Sequence, residues 1–393
     1  MRYFIIAGEA SGDIHAAQLI RRLKQCDSGA HVRFFGGDLM TQAAGARPDV
    51  HYRDMAYMGI VEVVKHLGAI MGFLDTAKRI IDSYRPDAIV LVDYPSFNLK
   101  VAKFARSRGI PVFYFISPKV WAWKEYRVKD IKRYVTELYS ILPFEPQFYA
   151  SRHGYSVEYV GNPTVKEIAE ARQSFVTAQE FRLRNGLPSQ GTLVAVVPGS
   201  RLKEIGDNLP TMIAACERIG GLVVAIAAAP SVGSDVYRAV LERAGLGGGY
   251  PLLRGQTFEL VAHSRAALVT SGTATLETAV IGTPQVVCYR MGGHRILYTV
   301  REHLIKTKYI SLPNLIADDT VVAELILHKC SVDGVAAELE PLLGDTPEHR
   351  KMLQGYSLIA SRLGTADCAA VAAGRITARL SGEAGLREPG IHQ

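Results

Sequence analysis

The feature that most constrains this chain is a repeated alternation. Short, continuously apolar runs each end in a turn rich in Gly, Ser, Pro or Asp, and a longer amphipathic stretch follows. YFIIA at 3–7, VRFFGG at 32–37, AIVLVDYP at 88–95 and IPVFYFISP at 110–118 are four such runs. Their Val, Ile and Phe residues show little two-residue alternation, so both faces of each strand must be covered, which is the condition of a parallel sheet with helices on both sides. A helix is expected over about 13–24. The pattern restarts after VGNPTV at 160–165, with TLVAVVPGSR at 192–201, GLVVAIAAAP at 221–230, AALVTSGTATLE at 266–277 and PQVVCYRM at 284–291. Two Rossmann-like, doubly wound α/β domains in tandem follow, and 393 residues exceed what one ordinary core accommodates.

The expected boundaries are 1–165 for the first domain and 166–345 for the second. Residues 346–393 are expected to form C-terminal helices, strongest near 355–380, that pack back on the first domain and end in a frayed tail, SGEAGLREPGIHQ.

Composition removes several classes of function. Lys plus Arg number 45 against 38 acids, a net charge of +7, which suits nucleic acid, an anionic membrane surface or phosphorylated substrates without choosing among them. The five cysteines, Cys26, Cys216, Cys288, Cys330 and Cys368, never fall in a CxxC spacing, so neither a disulfide framework nor a zinc site is indicated, and a reducing cytoplasm is expected. Met1-Arg2 leads directly into a strand, unlike a signal peptide. The most apolar window, 219–234, is broken by Gly and Pro and does not reach the roughly 18 residues a bilayer span needs.

Ligands of open α/β sheets bind beyond the carboxyl ends of the strands, so the turns there carry the chemistry. In PGSR, Gly199 frees the backbone for close approach, Ser200 adds a hydroxyl, and the Arg201 guanidinium matches phosphate oxygens; an ordinary turn with a solvated Arg fits equally. In SGTATLE, Ser271, Gly272, Thr273 and Ala274 open a helix whose N–H groups and dipole suit an anion, and Glu277 one turn in can accept from a ribose hydroxyl. The same residues also read as a good N-cap with a dipole-stabilising acid. Neither a Walker loop nor GxGxxG is present, and there is no Asp-x-Asp to hold a divalent cation, so no cofactor and no metal are expected.

In the first domain Glu9, Asp13, His15 and Asp93 lie at or just past strand ends, where a general base would stand. Asp13 reads most simply as the N-cap of its own helix and His15 as a satisfied imidazole, whereas Asp93 ends a buried strand and is the hardest to explain structurally. Trp121 and Trp123 precede a basic helix with Lys124, Arg127, Lys129, Lys132 and Arg133, which suits single-stranded nucleic acid, a phosphorylated lipid, an anionic membrane, or a solvated face. Residues 55–75, which include Met58 and Val64, are apolar enough for core or for contact with acyl chains.

The ordered series AGEASGD, MGIVEVV, SPKVWAW, LPFEPQFY, VGNPTV, PGSR, SGTATLE, YRM and KTKYISLPNL, over roughly residues 3–330, resembles the lipid-A-disaccharide synthase family. The resemblance implies a GT-B fold, with an acceptor domain and a UDP-sugar donor domain facing a cleft. It implies transfer of 2,3-diacylglucosamine from UDP to the 6-hydroxyl of 2,3-diacylglucosamine 1-phosphate, inverting and without metal, at the cytoplasmic face of an anionic inner membrane. A homodimer is compatible with it, and nucleic acid is not a partner. At the matching positions it makes Asp93 the first choice of base, Glu9 the second and His15 the third. Gly199, Ser200, Arg201, Ser271, Gly272, Thr273, Ala274, Glu277, Arg290 and Asn314 fall to the UDP donor, with Asn314 lining the cleft. Ser11, Met58, Val64, Trp121, Trp123, Lys124 and Arg127 fall to the acceptor or membrane side. Two departures stand out: Ser96 replaces a second Asp that many members carry in the DxPxFN turn, and Leu327 stands where a donor-domain Gln is common. The rival classes are a UDP-N-acetylglucosamine 2-epimerase, of similar architecture, and a nucleic-acid binder, for which no module is recognisable.

Overall fold

The structure is a computed structural model and describes residues 1–55, 67–247, 249–290 and 308–382. Met58 and Val64 lie outside the described residues. The chain divides into two compact units, Met1–Pro163 with the segment from Thr365 onward, and Thr164–Gly364.

Among its described residues the first unit holds seven strands: β1 (Arg2–Ala7), β2 (His31–Gly36), β3 (Val50–His51), β4 (Ala88–Val92), β5 (Val112–Phe115), β6 (Glu137–Ser140) and β7 (Glu158–Tyr159). All pair in parallel, in the order β3-β2-β1-β4-β5-β6-β7. The unbroken apolar runs are explained by the two cores they serve. Phe4 and Ile6 of β1 join Ile89 and Leu91 of β4 on one face, while Tyr3, Ile5 and Ala7 join Ala88, Val90 and Val92 on the other.

The second face is closed by two helices. Ala10–Cys26 contributes Ala16, Leu19, Ile20 and Leu23, and Cys368–Leu380, returning from the far end of the chain, contributes Ala372, Ala373 and Ile376. Asp367 caps that returning helix at Ala370 N and accepts from Arg22 at 2.6 Å, and Arg375 Nε reaches Glu158 at 2.7 Å.

The second unit repeats the plan with β8 (Thr192–Val197), β9 (Leu222–Ala228), β10 (Leu252–Arg254), β11 (Ala266–Thr270), β12 (Gln285–Tyr289) and β13 (Ala323–Ile326), parallel in the order β10-β9-β8-β11-β12-β13. Both sheets therefore reverse strand order at one place, between β1 and β4 and between β8 and β11. That is where such sheets bind ligands.

The C-terminal region differs from its sequence reading. Gly364, at φ 63°, ends one helix, Pro347–Leu363, before the returning one starts. Pro347–Leu363 belongs to the second unit, where Tyr356 receives a bond from Gln285 Nε2 and donates to the Thr283 carbonyl, both at 3.2 Å, and Arg362 donates to the Ile316 carbonyl at 2.6 Å. Only the segment from Thr365 returns.

Candidate active site

At the first switch point the turns after β1 and β4 press together. A Cβ on Gly8 would stand 2.4 Å from the Tyr94 ring, so only glycine lets AGEASGD pass beneath the DYPSFN turn. Asp93 and Tyr94 both take left-handed backbone conformations (φ 44° and 49°), as do Ile116 after β5 and Lys124 (φ 67° and 58°). Four such non-glycine residues around one spot are strain that the surrounding structure must hold, as functional sites do. The hold is visible: the Tyr114 hydroxyl and the Asn98 amide both donate to the Asp93 carbonyl, at 2.5 and 2.7 Å, and Asp93 N donates to Phe115 O.

Asp93 faces a cavity of about 230 Å³ in the first unit, shared with Ser117, Lys119, Trp123 and Arg127. Burial pushes its carboxyl above the ordinary carboxylate range, against the pull of Lys119. Sequence reasoning missed Lys119, although the SPK turn follows β5 as the DYPSFN turn follows β4. Arg127 was read as one cation of a basic helix; the helix is Val128–Tyr134, and Arg127 ends the 3-10 turn before it, pointing inward with 9% exposure and donating to Ser96 Oγ at 2.6 Å.

The two tryptophans part company. Trp123 is 65% exposed with the Lys124 ammonium 4.0 Å from its ring centre. Trp121 instead turns inward, edge-on to Phe144, and its indole N–H donates to Glu145 Oε1 at 2.9 Å. Glu145 is buried, also accepts from Ser140, and has its pKa raised to about 7 by desolvation. Trp121 is thus an anchor of the segment that lines the cavity, and it stays partly exposed.

Of the opening turn, Glu9 occupies the N-cap position of Ala10–Cys26 and is exposed, as is Ser11. Burial lowers the His15 pKa to about 4, so its imidazole is neutral at pH 7. Asp13 is not the cap of its own helix, which begins three residues before it. Its buried carboxylate accepts from Gly37 N, Leu39 N and Met40 N at 2.7, 3.1 and 3.2 Å, capping the helix Asp38–Ala44.

In the second unit PGSR and SGTATLE follow β8 and β11 at the corresponding switch point. Gly199 has φ 106°, and the Ser200 and Arg201 N–H groups donate to Glu204 Oε2 at 3.1 and 3.3 Å. A carboxylate three residues into the helix Leu202–Ile219 thus takes these backbone donors, and its other oxygen accepts from the Arg201 guanidinium at 3.3 Å; Ser200 and Arg201 are both exposed.

Gly272 precedes the helix Thr273–Ile281, and Gly272 and Thr273 are exposed at its start. Glu277 accepts from Thr273, and desolvation together with nearby Glu167 raises its pKa to about 7. Arg290, just past β12, donates to Thr211 Oγ1 at 2.6 Å while its N–H bonds Asn208 Oδ1 at 2.8 Å.

Asn314 departs from expectation: it is fully buried and does not present its side chain to a ligand. Its amide donates to Val322 O and Glu324 Oε1 and accepts from Val321 N and Val322 N, all within 2.9 Å. Glu324 in turn accepts from Ile310 N, Ser311 N and Ser311 Oγ, and the Ile310 carbonyl accepts from Ser271 Oγ at 3.4 Å. Asn314 therefore positions the turn beside SGTA. Leu327 is buried in a left-handed conformation (φ 54°).

Two parallel-sheet units with their distinctive turns at matching switch points define a GT-B protein. Solved structures of this class superpose along nearly the whole chain. The UDP-GlcNAc 2-epimerase from Neisseria meningitidis bound to UDP-GlcNAc does so with a TM-score of 0.64 at 12% identity, covering 97% of this chain and 100% of that one. CalG4, the calicheamicin glycosyltransferase, does so at 0.58 and 15%, covering 99% and 100%. At such identities the likeness is one of fold alone.

Sequence likeness is narrower. Residues 3–372 match the family of lipid-A-disaccharide synthetases. The lipid-A-disaccharide synthase of Acidobacterium capsulatum is 35% identical over 382 residues (94% of this chain, 93% of that protein), and that of Myxococcus xanthus 36% over 378 (95% and 96%). The chain belongs to the lipid-A-disaccharide synthetase family, as a hexosyltransferase of GT-B fold.

Proposed function

We propose that this protein transfers 2,3-diacylglucosamine from UDP to the 6-hydroxyl of 2,3-diacylglucosamine 1-phosphate, inverting the anomeric centre to give the β-1,6 disaccharide 1-phosphate and UDP. The observation that carries the reading beyond family membership is Asp93. It is a half-buried carboxylate on a strained turn at a switch point, facing a cavity large enough for part of a sugar.

In one displacement the acceptor oxygen attacks the donor's anomeric carbon as the bond to UDP breaks, and the hydroxyl proton passes to Asp93. Burial raises the Asp93 pKa, which strengthens its carboxylate as a base. Glu9 and the neutral imidazole of His15 are the second and third choices. The charge arriving on the diphosphate is met by Arg201, Ser200 and the helix start at Ser271–Ala274, with Gly199 keeping the turn compact, Glu277 serving the ribose and Arg290 a further donor contact. These groups supply the leaving-group stabilisation without a metal.

Exposed Trp123, Tyr126 and Met71 (65, 65 and 44%), with Lys124 over the indole, favour an anionic membrane surface for the first unit, at the cytoplasmic face of the inner membrane. Among the described residues no helix is long and apolar enough to cross a bilayer.

The test mixes the purified protein with both substrates, with and without divalent cation, and looks for disaccharide and UDP; no product under either condition refutes the proposal. UDP-N-acetylglucosamine alone, examined for its manno epimer, tests the epimerase reading. Asp93→Asn is expected to cut kcat by about 10²- to 10⁴-fold with UDP affinity nearly unchanged. A folded variant with wild-type turnover removes Asp93 as the base.

A further inference from the structure

Arg127 is a guanidinium nine-tenths buried, and among the described residues no carboxylate lies within ion-pair distance of it. Among the described residues its one side-chain hydrogen-bond partner is a neutral hydroxyl, Ser96 Oγ. A buried cation without a counter-charge carries a desolvation cost of several kcal/mol that the fold does not itself offset. The side chain also borders the cavity that holds Asp93 at another wall, with exposed Lys119 at its lip and the Trp123 ring beside it. A guanidinium fork has five donors, so most of Arg127's remain for an occupant of that cavity.

We infer that Arg127, with Lys119, is the subsite for the phosphomonoester of the acceptor sugar, holding it so that the hydroxyl at the other end of the ring meets Asp93. The assignment rests on the reaction proposed above and adds to it the group that orients the acceptor. Planar, bidentate recognition of phosphate is what a rigid, buried Arg supplies, and a second flexible ammonium at the lip adds charge without fixing geometry. Lys119 pulls on the Asp93 carboxyl, and Arg127 on the Tyr114 hydroxyl that donates to the Asp93 carbonyl. An acceptor phosphate and the phosphate of a bilayer lipid share this chemistry, and the experiment separates them.

Wild type, Arg127→Gln, Arg127→Lys and Lys119→Met are compared on 2,3-diacylglucosamine 1-phosphate and on its dephosphorylated form, in detergent micelles, with thermal unfolding run on each. For wild type, kcat/KM is expected to favour the phosphorylated acceptor by about 100-fold, the worth of two charge-assisted contacts. Arg127→Gln is expected to lose nearly all of that preference, mostly through KM on the phosphorylated acceptor, while its UDP affinity stays near wild type. Arg127→Lys recovers part, and exposed Lys119→Met loses part without risk to the fold. Retention of the full preference by folded Arg127→Gln and by Lys119→Met overturns the subsite. So does a loss seen equally on both acceptors, or one that appears in UDP affinity or only in binding to phosphatidylglycerol vesicles. Should Arg127→Gln not fold, Lys119→Met and Arg127→Lys carry the same comparison. If wild type makes no disaccharide at all, it is the proposed reaction that fails rather than the assignment of Arg127.

Discussion

Glu145→Gln gives a sharp test of how the first unit is held together, because its effect should change with pH. The Glu145 carboxyl is buried, accepts from the Trp121 indole at 2.9 Å and from Ser140, and has its pKa raised from 4.5 to about 7. The folded protein therefore binds this proton more tightly than the unfolded chain does. Between pH 4.5 and 7 the unfolded chain has lost the proton while the folded one keeps it, so stability falls as pH rises through that window and is flat above it. A rise from 4.5 to about 7 corresponds to roughly 3 kcal/mol.

Glutamine has the same shape, an oxygen for the indole N–H, and no proton to lose. Relative to wild type the variant should gain roughly 3 kcal/mol on going from pH 4.5 to pH 8, being near equal at the acid end and more stable at the basic end. The assay is urea unfolding followed by tryptophan fluorescence. The protein has two tryptophans, Trp121 and Trp123, both in the first unit, so the signal reports that unit alone. Stability differences that stay constant with pH, or that move against the variant at pH 8, refute the reasoning.

Two further substitutions test residues that the fold has assigned to structure. Asp13→Ala strands three backbone N–H groups at the start of Asp38–Ala44 and should cost the first unit about 3–5 kcal/mol by the same fluorescence assay, with kcat of the folded protein nearly unchanged; a stable but inactive protein would make Asp13 a chemical group instead. Asn314→Ala removes four buried hydrogen bonds and should lower the stability of the second unit by about 3–5 kcal/mol, seen by hydrogen exchange in β13, together with weaker UDP binding by calorimetry. Weak UDP binding with unchanged exchange protection would instead put the Asn314 side chain on the ligand.

The central strands were readable from the chain because burial on both faces leaves a local mark: β4, β5, β8, β9, β11 and β12 lie within the apolar runs, and β1 starts one residue before its own. The two-residue strands β3 and β7 leave no such mark. The turns that matter were readable for a related reason, since a strand end followed by Gly, Ser or Asp and then a helix is a signal contained in about ten residues. What one such turn touches is not. Asp13 looks like the cap of the helix it sits in, and only the approach of residues 37–40 gives it three other donors. Trp121 and Trp123 are two positions apart in one basic, aromatic stretch, yet Glu145 draws one inward and leaves the other in solvent.

Sequence by itself determined the two parallel sheets, the place of the distinctive turns at their strand ends and, through an ordered series of motifs, the family. Each of those is written in local composition or in order along the chain. Tertiary structure alone decided that Lys119 and Arg127 share a cavity with Asp93, that Glu204 occupies the PGSR amides, and that Asn314 is turned wholly inward. The physical reason is that a polar side chain's role is set by the partners that satisfy or fail to satisfy it once water is removed, and partners brought from elsewhere in the chain leave no trace in the residue's own neighbourhood.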